Sequence, residues 1–174
     1  MPRVLFGPAL RLLPIGLLAL SLQRLVFAVH PVHDVKLQFV LALVVAAGAA
    51  GGPDRGAVAG FVLGLLYDLN GTTPLGLVAL AYGFGGMTAG YVRTLVSEPQ
   101  WWIASFFAAV GAAVGELSVP FLGQMIGDDG WITSRLLVEI PIVAGAAALL
   151  CPALMPIARW MVGVKRKKWK VMVE

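Results

Sequence analysis

From Ala9 to Met155 the chain is a succession of apolar runs, separated by polar breaks of only a few residues. Runs this long and this closely spaced leave few folds open. A soluble domain has roughly 45–50% apolar and ~25% charged residues. This chain is 59% hydrophobic and 13% charged, which points to a membrane protein. A bilayer-spanning helix takes about 20 apolar residues, so the 174 residues supply about six spans and no soluble domain of ordinary size.

The polar breaks set the expected spans. The first covers residues 9–29. No clean cleavage site follows it and Arg24 falls late in the run, so it reads as a retained span rather than a signal peptide. The second, 37–52, is closed by Pro53-Asp54-Arg55. The third, 56–69, and the fourth, 74–92, form a hairpin across Asn70–Thr73. The fifth, 101–126, opens on the Trp101-Trp102 pair, suited to a headgroup interface. The sixth, 132–155, ends at Pro152 and Pro156 and is followed by a basic tail, 159–174. Spans two and three are short enough to suggest a partly re-entrant path or a locally thin bilayer. The runs lack the alternation of barrel strands, so the expectation is one domain, 1–174, an all-α integral membrane bundle of about six transmembrane helices.

Basic residues orient the bundle. With both termini inside, ten of the 13 Lys and Arg fall on the inner side, leaving only Arg24, Lys36 and Arg135 outside. A cytoplasmic location for both termini follows. In that frame Arg24, Asp68, Glu116 and Glu139 all lie in the outer half of the bilayer. An isolated charge there costs at least ~2.5–3.5 kcal/mol, so such groups pair or line a wet cavity. The expectation is a polar pocket in which Arg24 offsets at least one acid, with Gln23, Tyr67, Asn70 and Gln124 as hydrogen-bonding neighbours. Asp68 and Arg24 also fit helix ends at the interface. Glu116, far from any end, calls for an internal polar partner.

Gly56, Gly60 and Gly64 recur at four-residue spacing, as do Gly86 and Gly90, and Gly111 and Gly115. Each set shares one helix face and permits close backbone approach. Such faces serve packing within the bundle, or docking of a partner's membrane helix or a second copy. Pro120 and Pro141 each remove a helical donor, and carbonyls freed near Glu116 are tolerated beside a cavity. In the tail, Lys165, Arg166, Lys167, Lys168 and Lys170 surround Trp169. They read first as an anchor on anionic lipid, each worth about 1 kcal/mol near the surface. Nucleic acid is not an expected partner.

Catalytic signatures are missing. There is no phosphate loop, no dinucleotide fingerprint, no G-x-S-x-G and no H-E-x-x-H. His30, His33 and Asp34 read as a solvated loop rather than a metal site, and the single Cys151 as a small buried filler. No cofactor, metal or enzymatic activity is expected.

The pattern Gly60-Phe61…Gly64-Leu65-Leu66…Asp68-Leu69 followed by Pro74-Leu75-Gly76-Leu77 resembles the rod shape-determining protein MreD family, as do the length and the multispan layout. The resemblance implies a non-enzymatic scaffold or regulator of the bacterial elongation machinery (the elongasome), supporting peptidoglycan synthesis and cell shape from the inner membrane. It implies an MreC-like single-span partner and, through it, links to RodA, a class B penicillin-binding protein and, indirectly, MreB. The family is considered similar in fold to the S components of energy-coupling-factor transporters, six-helix proteins with an outward-facing pocket. A substrate-binding subunit of that kind is the alternative function.

Overall fold

A computed structural model describes residues 3–27, 38–71, 73–96, 100–127 and 136–164. The regular elements among the described residues are all helices, with no strand among them. In chain order the helices are α1 (Arg3–Phe27), α2 (Phe39–Gly51), α3 (Pro53–Asn70), α4 (Leu77–Gly90), the single turn α5 (Val92–Leu95), α6 (Trp101–Met125) and α7 (Leu136–Val162). The basic cluster Lys165, Arg166, Lys167, Lys168 and Lys170 lies outside the described residues, as do the His30–His33 loop and Arg135.

The hub is α2. Eleven consecutive residues, Val40 to Ala50, are buried, and the helix touches every other one. A helix apolar on all sides belongs inside a structure rather than at its surface. Its 13 residues rise only about 20 Å, short of a ~30 Å hydrocarbon core.

Two expected boundaries move. Pro53-Asp54-Arg55 does not separate two spans by a loop but forms the first turn of α3, entered through Gly52 at φ 93°. Proline at the first helical position is pre-set for the helix, and Asp54 complements the positive end of its dipole. The second shift is at α7, which runs on through Pro152 and Pro156 to Val162 instead of ending near residue 155. Leu154, Ala158, Met161 and Val162 are buried there, and this packing outweighs the donors the prolines remove.

Glycines bring the helices together. A Cβ added at Gly56 would stand 2.2 Å from the Gly86 carbonyl oxygen, and one at Gly86 2.3 Å from that of Gly56. Gly60 lies against the Tyr82 backbone and Gly64 against Val78 and Ala79, while Gly90 meets Gly52. Gly111 faces Gly85, and Gly115 faces Leu41, Ala81 and Gly85. All seven glycines singled out by spacing are therefore in use inside the bundle, between α3 and α4, at the α2–α3 turn, and between α4 and α6. A partner helix or second copy would have to dock elsewhere.

The exterior is oily. Leu18, Leu25, Leu137 and Leu149 are each at least 70% exposed. By length and composition α6 and α7 are apolar enough to cross a membrane.

Candidate functional site

Polar side chains gather at one end of the bundle, where α2, α4 and α7 begin and α1 and α3 end. Two of the helix starts are capped from the preceding helix. The first backbone N–H groups of a helix have no partner within it and need one when buried. In α2 the Val40 N–H donates to Gln23 Oε1 of α1 at 3.1 Å. In α4 the cap is Asp68 of α3, which is 3% exposed. Its carboxylate accepts from the N–H groups of Gly76 (2.9 Å), Ala79 (3.2 Å) and Val78 (3.4 Å), and from the Thr73 hydroxyl (2.8 Å). Gly76, at φ 96°, adopts the left-handed conformation that lets the chain turn into α4 above this acid. Asp68 is thus saturated, and its charge favours the positive end of α4.

Among the described residues Arg24 makes no ion pair with an acid. Its guanidinium donates to the carbonyl of Asn70 at the end of α3, one of the unpaired acceptors that every helix leaves at its C-terminus. The physical reason is that Asp68, the nearest acid in sequence to Asn70, already has four donors, whereas the carbonyl has none within the helix. The Asn70 amide in turn donates to Leu66 O at 3.0 Å. Gln124 is exposed and takes no part.

Beside these caps lies a cavity of about 190 Å³. Its polar wall is Gln38, Tyr67, Thr73, Tyr82, Glu116 and Glu139. Val78, Val119, Pro120 and Leu136 complete it. Pro120 can donate no hydrogen bond to the Glu116 carbonyl one turn back, so the proline and the acid open the helix wall at the same place. Glu116 has the internal partner its position calls for: Gln38 Nε2 donates to Glu116 Oε1 at 2.7 Å. Tyr82, buried at the cavity floor, donates its hydroxyl to Gln38 Oε1 at 2.6 Å. The second oxygen of Glu116 is buried and has no hydrogen-bond partner among the described residues. Glu139 stands in the first turn of α7, half-buried, where a carboxylate complements the helix dipole.

Of the four charges expected together, Glu116 and Glu139 share the cavity, Asp68 sits behind it as a cap, and Arg24 is on the α3 terminus. Sequence reasoning missed Gln38 and Tyr82, which join the acid to the bundle core. Their signal was faint: a lone amide at the start of the most apolar run, and a hydroxyl inside α4.

Tyr82→Phe tests the network. Removing a buried hydroxyl that makes one hydrogen bond is expected to lower stability by about 1 kcal/mol, since the net worth of such a bond is roughly 0.5–1.5 kcal/mol. Thermal unfolding of the purified protein in detergent measures it.

At the opposite end a larger cavity, about 600 Å³, lies between α6 and α7, lined by Trp101, Pro152, Arg159 and Trp160 among others. Among the described residues no group of three or more His, Cys, Asp or Glu is placed to hold a metal ion. Compared with models of protein families, with curated proteins and with solved structures, the chain matches none.

Proposed function

We propose that the chain is a six-span protein of the bacterial cytoplasmic membrane with both termini cytoplasmic, and that it acts as a non-enzymatic scaffold of the elongation machinery. In this reading it binds an MreC-like single-span protein and, through it, supports wall synthesis by RodA and a class B penicillin-binding protein. The exposed leucines on the outside of the bundle suit acyl chains, and the α3–α4 hairpin carries the motif that resembles the MreD family.

One observation favours a scaffold over a transporter subunit. The polar cavity is about 190 Å³. Sites that enclose drug-sized ligands run from roughly 300 to 1,000 Å³.

Depleting the protein in its host is expected to turn rods or polar growers into rounded cells, and a tagged copy should co-purify with a single-span, coiled-coil membrane protein. A C-terminal reporter should be active only in the cytoplasm. Normal cell shape on depletion, together with co-purification of an ATP-driven module, would replace this reading with solute uptake.

A further inference from the structure

We infer that the cavity between the start of α6 and the end of α7 is a binding site for an anionic phospholipid, with Arg159 on its phosphate and an acyl chain along the outside of α7. The inference rests on the chain's spanning the membrane and is independent of the partners proposed for it.

The first observation is the make-up of the cavity. At about 600 Å³ it falls within the roughly 300–1,000 Å³ of sites that take up small ligands. Its wall is reachable from outside. Trp101 is 71% exposed and Trp160 58%, and Pro152 and Pro156 are exposed between them and the rest of α7. Arg159, half-buried, brings a positive charge into this wall. A guanidinium is a planar fork of donors that meets a phosphate with two parallel hydrogen bonds. Trp101 of α6 and Trp160 of α7 join it, and an indole, with its apolar body and single N–H, suits the level of the headgroups.

A second observation concerns the charge around the cavity, counted over every residue of the flanking sequence. The stretches next to the lining, 97–99 and 165–174, carry Lys165, Arg166, Lys167, Lys168 and Lys170 against two acids, Glu98 and Glu174. Basic pockets between membrane helices recognise anionic headgroups. The excess of cations favours a lipid with net negative charge over a zwitterionic one, whose ammonium it would repel.

The third observation is a track for the hydrocarbon. Leu149, Pro152, Pro156 and Trp160 follow at intervals of three or four residues, so they share one face of α7. All four are exposed. From Leu149 to Trp160 the helix rises about 16 Å, close to the ~15 Å of hydrocarbon in one leaflet. An acyl chain laid on this face reaches from the phosphate to the middle of the bilayer.

The full-length protein in dodecyl maltoside is titrated with dioctanoyl phosphatidylglycerol and with dioctanoyl phosphatidylcholine, and thermal unfolding is followed. Native mass spectrometry counts the lipids it keeps after extraction from vesicles that mix the two classes. Saturable stabilisation by phosphatidylglycerol is expected, together with its preferential retention. In Arg159→Gln the affinity should fall about tenfold or more, the loss typical of a hydrogen bond to a charged group. Trp101→Ala, at an exposed position, is the second variant should Arg159→Gln fail to fold, with a weakening in the same direction. Replacing the basic residues of 165–170 by Gln should weaken binding but leave the preference and its dependence on Arg159 in place. Equal response to the two lipids, an equal response to glycerol phosphate without acyl chains, or a preference unchanged in folded Arg159→Gln would each overturn the assignment. So would a preference lost in the tail variant and kept in Arg159→Gln, which would put the lipid on the tail. Binding of a polyglutamate peptide that depends on Arg159, with no lipid preference, would give the cavity to an acidic protein segment instead. Recovery of the chain in soluble form without detergent would remove the membrane reading itself, whereas a detergent-dependent protein with no lipid preference loses only this site.

Discussion

Gly60→Ala is expected to destabilise the protein by about 3 kcal/mol or more, the upper end of what overpacking a well-fitted interior costs. The added methyl would lie 2.1 Å from the Tyr82 carbonyl oxygen and 2.5 Å from its carbon. Both are backbone atoms, so no side chain can rotate away, and α3 and α4 must separate along their contact. That separation also moves Tyr82, whose hydroxyl holds Gln38 at the cavity. Gly145→Ala is the control. It is a helical glycine with nothing within 4 Å of a new Cβ. There the substitution should leave stability within about 1 kcal/mol of the parent, on the favourable side, as helix propensity dictates. Thermal unfolding of the two variants side by side distinguishes a steric seam from a general intolerance of alanine. A Gly60→Ala protein as stable as its parent would mean that α3 and α4 are not in backbone contact.

The second large effect belongs to Asp68→Ala. Removing the carboxylate strands the N–H groups of Gly76, Val78 and Ala79 and the Thr73 hydroxyl at once. Loss of an ordinary helix cap costs about 0.5–2 kcal/mol, and hydrogen bonds to a charged acceptor are worth roughly 1.5–3 kcal/mol each. A loss of about 3 kcal/mol is expected, with Asp68→Asn intermediate because its amide keeps one acceptor oxygen while turning donors towards donors. Hydrogen exchange gives the local signature: the amides of residues 76–79 should lose protection before the rest of α4. Uniform loss along the whole helix would instead mean that Asp68 acts on the bundle at large.

These two residues also show what could be read from the amino-acid order and what could not. Glycines four apart on one run announce a face for close approach, and Gly56, Gly60 and Gly64 are on such a face. Which helix would meet them was not legible, because spacing describes one helix and contact needs two. Asp68 was conspicuous as an acid beside an apolar run. Its role as the cap of the following helix depends on the path of residues 71–76, and in particular on the positive φ of Gly76, which periodicity does not encode. Glu116 and Glu139 line one cavity. Arg24 did not join them, since a helix terminus a short reach away offered a carbonyl in greater need of a donor. Boundaries erred where proline was taken as punctuation. Pro53 starts a helix, and Pro152 and Pro156 ride within one, because first-turn geometry in one case and packed neighbours in the other override the missing donor.

The enclosure of α2 bears on how the molecule is made. The chain emerges from the ribosome with its central pillar second, yet α6 and α7, which close around that pillar, come last. Until they arrive, a stretch of valine, leucine and alanine lacks neighbours that bury it in the folded bundle. A nascent chain stopped before α7 would therefore leave one side of α2 uncovered and present an unfinished wall to quality-control proteases.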